Sequence, residues 1–130
     1  MAYLKPPLFT RAVFNKLAMR TGMSGAESLV VAGRRTGTMQ RIPVIPVELD
    51  GSRYLVSTRG ESEWVRNLRA AGGRLELRGK GGTRTCTAVE LPVEERAPVL
   101  DVYRAKLGKM VAGYFAQLPD PADHPVFRLG

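Results

Sequence analysis

The segment Gly33-Arg34-Arg35-Thr36-Gly37, followed closely by Arg41-Ile42-Pro43, brings three guanidinium groups, a hydroxyl and two glycines into one short stretch. Guanidinium and hydroxyl groups donate strong hydrogen bonds to oxyanions, and glycine lets backbone amides approach a ligand closely. A phosphate group would suit such a stretch. It is not a P-loop, which requires Gly-Lys-Ser or Gly-Lys-Thr after four spacer residues, and it does not open a helix as a dinucleotide fingerprint does. On local physics alone, a solvated arginine-rich turn explains it equally well.

A second group of donors lies at Ser57-Thr58-Arg59-Gly60, between an apolar run and a polar segment that can start a helix. Its hydroxyls, guanidinium and the following helix amides could converge on an anion or on ring carbonyls, or could simply cap the helix. Three residues apart, Trp64 and Asn67 share one helical face, so a flat aromatic and an amide can address the same neighbour. Judged locally, core packing is the plainer role for Trp64.

The apparatus of hydrolysis is missing. No serine has a recognisable histidine and acid beside it, and no paired carboxylates or metal cluster stand out. Cys86 is the single cysteine, which excludes an intrachain disulfide, and with His124 it cannot make an ordinary zinc site. Both read as structural, Cys86 as a small core residue on a strand. Anion-binding loops without an acid-base constellation suit chemistry that a cofactor performs.

The 130 residues allow one domain, taken as 1–130, with a core of its own. A net charge of +8 attracts anions, whether phosphorylated cofactor, nucleic acid or acidic lipid. Apolar runs are too short for a membrane span, and Lys5, Arg11, Lys16 and Arg20 interrupt any signal-peptide core, so a soluble, cytoplasmic protein is expected. Residues 7–20 have the spacing of an amphipathic helix. Covering one end of the fold is its plainer role, and its basic face keeps peripheral membrane contact as the alternative.

The rest of the chain must position these groups. Leu29-Val30-Val31-Ala32 reads as a strand, the Gly33–Thr38 segment as a turn, and residues 41–49 as a second strand. In that second strand Pro43 and Pro46 demand an edge, a bulge or a ligand-facing position. Asp50-Gly51 signals a tight hairpin into Tyr54-Leu55-Val56. Ser62 or Glu61 is placed to cap a helix through Trp64, Val65, Leu68 and Ala71, which Gly72-Gly73 ends. A hairpin over residues 74–91 follows, then a helix over 93–107 that Pro98 bends or begins, and a shorter helix over 110–118. Pro119-Asp120-Pro121 makes a turn, and 124–129 supplies a last strand. Five or six strands with inserted helices favour a small barrel closed on itself.

In order and spacing, Val31-Ala32-Gly33-Arg34-Arg35-Thr36-Gly37, Arg41-Ile42-Pro43-Val44, the Asp50-Gly51 hairpin, Ser57-Thr58-Arg59-Gly60 and Trp64-Val65-Arg66-Asn67-Leu68-Arg69-Ala70 resemble the deazaflavin-dependent nitroreductases. The likeness covers most of the chain and is densest over residues 31–71. Ala32 stands where that family usually has threonine, and Gly72-Gly73 replaces its asparagine-proline.

The resemblance implies a mainly β protein with inserted helices, a split β-barrel of the FMN-binding type. It implies hydride transfer from reduced coenzyme F420 to an electron-poor acceptor, a quinone, enone or nitroaromatic. The phosphate and oligoglutamate tail would meet Arg34, Arg35, Thr36 and Arg41 beside Gly33 and Gly37. The ring would lie near Pro43, Val44, Ser57, Thr58 and Arg59, with Trp64 and Asn67 beside the pocket. The substrate-side tyrosines match poorly, with Tyr114 the first candidate and Tyr103 the next. A homodimer is common among such barrels. Alternatives are FMN in place of F420, a non-catalytic carrier of F420, flavin or fatty acid, and a nucleic-acid-binding barrel, which lacks an aromatic stacking platform here.

Overall fold

The structure, a computed structural model, describes residues 26–130, so the helix expected over 7–20 lies outside the described residues. Strands β1 (Glu27–Ala32), β2 (Met39–Val44), β3 (Val47–Leu49) and β4 (Ser52–Val56) come first, followed by helix α1 (Glu63–Ala70). Strands β5 (Arg74–Gly79) and β6 (Gly82–Glu90), helices α2 (Ala97–Leu107) and α3 (Lys109–Gln117), and strand β7 (Val126–Leu129) complete the fold. Short 3-10 turns at Val93–Glu95 and Pro121–Asp123 flank the two later helices.

Every pairing is antiparallel, in the order β2-β1-β5-β6-β7-β4-β3. The two outermost strands, β2 and β3, are consecutive in sequence and separated only by Ile45-Pro46. One stretch of chain therefore runs along both margins, curling the seven strands into a split barrel. The single strand expected over 41–49 is thus two. Pro46 cannot donate a ladder hydrogen bond and falls in the break, while Pro43 occupies a margin strand.

Side-chain alternation divides the interior in two. Leu29, Val31, Leu55, Val65, Leu68, Leu75, Leu77 and Phe127 fill the barrel lumen together with Trp64, which packs on Phe127 at 5.9 Å between ring centroids. Neighbouring residues on the same strands, Val56 and Val126, point the other way and pack with Ile45, Val47, Leu100, Tyr103, Leu107 and Phe115. Burial on one face of β5 and β6 and on both faces of β4 and β7 follows from this.

Local chemistry fixes the joints. Asp50 and Gly51 both take positive φ, 52° and 82°, as the tight hairpin requires. At Gly73 φ is 85°, and a Cβ there would collide with the Ala88 carbonyl, so only glycine lets α1 end against β6. Pro98 stands in the first turn of α2, marking its start after the 3-10 turn. Ser62 occupies the cap position of α1 without making the expected cap bond, because its hydroxyl is turned toward Ser57. The last turn expected at 119–121 is displaced into Pro121–Asp123, where the Asp120 carboxylate accepts from the Ala122 amide at 2.8 Å.

Candidate functional site

The arginine-rich turn closes on itself before it meets anything else. The Gly33 amide donates to the Thr38 carbonyl and the Gly37 amide to the Gly33 carbonyl, each at 2.9 Å. Space beside Gly33 is already filled by the Thr38 carbonyl and the Gln40 side chain, whereas Gly37, at φ 78°, has nothing within 4 Å of where a Cβ would stand. The side of the backbone that a Cβ would occupy is thus open at Gly37 and filled at Gly33. The Thr36 hydroxyl donates to that of Thr38 at 3.0 Å and accepts from the Thr38 amide at 3.3 Å.

Helix α1 holds this turn. The Asn67 side-chain carbonyl accepts from the Arg34 amide at 3.1 Å and from its guanidinium at 2.8 Å, and the same guanidinium pairs with Glu63 at 2.7 Å. Arg34 holds the Glu63 carboxyl below its ordinary range, chiefly through that hydrogen bond. Arg34 is thereby committed inside the protein, and Asn67 serves as its receptor. Arg35 and Arg41 are exposed and have no ion-pair partner among the described residues.

On β2 the side chains alternate. Ile42 and Val44 pack against the barrel lumen, so Arg41 and Pro43 face outward. Val44 thus offers a ligand its backbone rather than its side chain. Trp64 is 7% exposed and belongs to the lumen core, the plainer of its two expected roles.

The segment after β4 is pinned from several sides. Ser57 is 1% exposed, with its hydroxyl donating to the Gly60 carbonyl at 2.5 Å and lying 3.2 Å from the Ser62 hydroxyl. Its amide donates to the Pro125 carbonyl at 2.9 Å, and its own carbonyl faces His124 Nδ1 at 2.9 Å. The Thr58 hydroxyl lies 2.6 Å from the Tyr103 hydroxyl. Arg59 Nε is buried without a hydrogen-bond partner among the described residues. Unlike the Ser57 and Thr58 hydroxyls, which are both engaged, Arg59 has a donor to spare.

Both loops therefore converge on α1, the turn through Glu63 and Asn67 and the Ser57 segment through Ser62. Behind the helix, Arg69 pairs with Glu61 and, at 2.7 Å, with Glu90, which also meets Arg96 at 3.2 Å. Arg96 donates to the Leu91 and Pro121 carbonyls at 3.0 and 3.2 Å. These four charged residues are absent from the sequence-level site, because partners far apart in the chain carry no spacing signal. Tyr114 is half-buried on α3, and its hydroxyl has no hydrogen-bond partner among the described residues. Tyr103 is buried, and burial pushes its phenol up to about 12. No group of histidine, cysteine and acidic residues that could hold a metal occurs among the described residues. No helix among them is long and apolar enough to cross a membrane.

Solved structures share this architecture. An F420-H2 dependent reductase, FDR-A, superimposes with a TM-score of 0.59 at 20% identity, covering 82% of this chain and 94% of that one. A chain described as a domain-swapped dimer gives 0.60 at 18% identity, with 92% of each chain covered. An FAD-binding protein of Mesorhizobium loti gives 0.52 at 18% identity, covering 85% of this chain and 83% of the other. Among curated proteins none matches significantly. The sequence model of one family matches residues 11–117, spanning the turn, α1, the Ser57 segment and both later helices. With that match over most of its length, the chain belongs to the F420H(2)-dependent quinone reductase family.

Proposed function

We propose that this protein uses reduced coenzyme F420 to reduce an electron-poor small molecule, a quinone, enone or nitroaromatic. The observation that carries the reading is a contrast among neighbouring arginines: Arg34 is clamped by Asn67 and Glu63, while Arg35 in the same turn and Arg41 on the following strand stand exposed and unpaired among the described residues. A turn held rigid by one arginine loses little freedom when its other cations engage an anion.

The donor set fits F420. Arg35, Arg41, Thr36 and the open backbone at Gly37 would hold the phosphate and carboxylate-rich tail. Pro43, the backbone at Val44, Thr58 and Arg59 would border the ring, and the spare Nε of Arg59 is a donor in need of an acceptor. Ser57, Asn67 and Trp64 would act from behind by fixing the two loops. When bound, the reduced deazaflavin supplies a hydride. The protein's own part is to orient the two reactants and exclude water, with Tyr114 the candidate to face the acceptor.

Fluorescence titration of the purified chain with F420, followed by turnover of F420H2 with menadione, tests this. Saturable binding and turnover are expected. Binding without turnover would make the protein a carrier, and binding of FMN with indifference to F420 would remove the cofactor assignment. A homodimer is part of the proposal, and light scattering at a single-protomer mass would remove it.

A further inference from the structure

We propose that Tyr103 is a positioning residue for the Ser57–Gly60 segment: through its hydroxyl it holds Thr58, and so sets the direction in which Arg59 is presented to the bound cofactor. The inference rests on the F420 reading above.

Thr58 lies in a connection between β4 and α1, where backbone is ordinarily free to move. The bond at 2.6 Å from its hydroxyl to Tyr103, forty-five positions away on α2, removes that freedom. Tyr103 is itself locked, 4% exposed and packed among Val99, Leu107 and Phe115. The support continues past it. Phe115 lies 6.3 Å from the Tyr103 ring and stacks on His124 at 4.1 Å, and His124 faces the Ser57 carbonyl. Two adjacent residues, Ser57 and Thr58, are thus gripped by one continuous aromatic row drawn from α2, α3 and the approach to β7.

The next residue in the chain is Arg59, whose buried Nε lacks a partner among the described residues. Its charge reaches the Tyr103 phenol and works against the effect of burial there. A side chain with an unspent donor, attached to a backbone braced at the two preceding residues, has the form of a preorganised contact. Tyr103 remains an undissociated phenol at neutral pH, buried away from solvent, so it acts through Thr58 rather than on a reactant.

The test compares wild type, Tyr103→Phe, Thr58→Val, Thr58→Ser and the Tyr103→Phe/Thr58→Val double variant. F420 affinity, kcat and KM with menadione, and amide exchange at residues 58–60 without ligand are measured for each. Tyr103→Phe keeps the ring and removes one neutral hydrogen bond, so F420 affinity should fall by about two- to tenfold. Exchange at 58–60 should quicken while the amides of β5 and β6 stay protected. Thr58→Ser, which keeps the hydroxyl, should quicken exchange at 58–60 less than Thr58→Val does, and the double variant should bind no worse than Thr58→Val alone, since both changes remove the same bond.

Unchanged affinity and unchanged loop exchange in Tyr103→Phe would overturn the proposal, as would additive losses in the double variant. Should Tyr103→Phe fail to fold, ligand-free amide exchange at 58–60 in Thr58→Val against Thr58→Ser decides in its place. A wild type that takes no F420 would instead fell the functional reading, and the exchange comparison would then decide alone whether Tyr103 holds the loop.

Discussion

Two arginine clusters sit on opposite sides of α1, and they are treated differently. Behind the helix, Arg69 and Arg96 are met by Glu61 and Glu90 and by backbone carbonyls, so every charge is answered within the protein. In front, Arg34 alone is answered among the described residues, where Arg35 and Arg41 stand exposed without an ion-pair partner. The first cluster ties the end of β6, the start of α2 and the approach to β7 to the helix. The second has cations in excess of its internal needs. Arginine content alone does not separate structure from binding; the presence of an internal carboxylate or carbonyl for each guanidinium does.

Removing Arg96 should break the rear cluster with the largest effect. It would leave the Leu91 carbonyl without the Arg96 donor, the Pro121 carbonyl with the His124 amide alone, and Glu90 with one cation fewer. Arg96→Ala is expected to lower unfolding free energy by about 3–5 kcal/mol, read from denaturant midpoints. In front, Arg35→Ala and Arg41→Ala should each weaken F420 binding by about 1.5–3 kcal/mol while stability changes by no more than about 0.5 kcal/mol. Titration and unfolding on the same samples check both halves. A loss of stability without loss of affinity would abolish the distinction between the clusters.

Asn67→Ala crosses the boundary, since it strips the Arg34 amide of its acceptor and leaves the Arg34 guanidinium with Glu63 alone. A loss of about 1–3 kcal/mol in stability is expected, together with weaker F420 binding as the turn loosens. Retained F420 affinity would show that the clamp does not serve the site.

The smallest effects concern pH. Arg69 holds the Glu61 carboxyl below its ordinary range, chiefly by hydrogen bonding, so Glu61 contributes stability that is fully present above the unfolded-chain pKa. That contribution drains away as pH falls from the ordinary glutamate value to and through the lowered folded one. Glu61→Gln should flatten this acid limb in unfolding measured across the pH series. Glu63, lowered by Arg34 but exposed, should show a dependence that salt largely removes, whereas that of the more buried Glu61 should persist. Equal sensitivity to salt would contradict the difference in burial.

Much of the architecture was legible because it is encoded over short distances. Period-two alternation in residues 74–78, the Asp50-Gly51 pair, the glycines after α1 and the proline in the first turn of α2 each act within a few residues. The ordered motifs from Val31 to Ala70 likewise carried the family. Less legible were the divided strand at Ile45-Pro46 and the choice of Ser62's partner, where a contact made elsewhere overrode local preference.

By itself, then, the sequence determined the elements, the barrel class and the two donor-rich loops, since propensity, turn chemistry and charge act locally along the chain. Only the tertiary structure decided which donors remain available. Arg34 and Arg35 are neighbours of the same type, yet one lies against Asn67 and Glu63 and the other does not. Tyr103 and Thr58 likewise acquire a shared role only when α2 packs beside β4. A hydrogen bond falls away within a fraction of an ångström, so a residue's freedom to bind is set by who stands next to it in space.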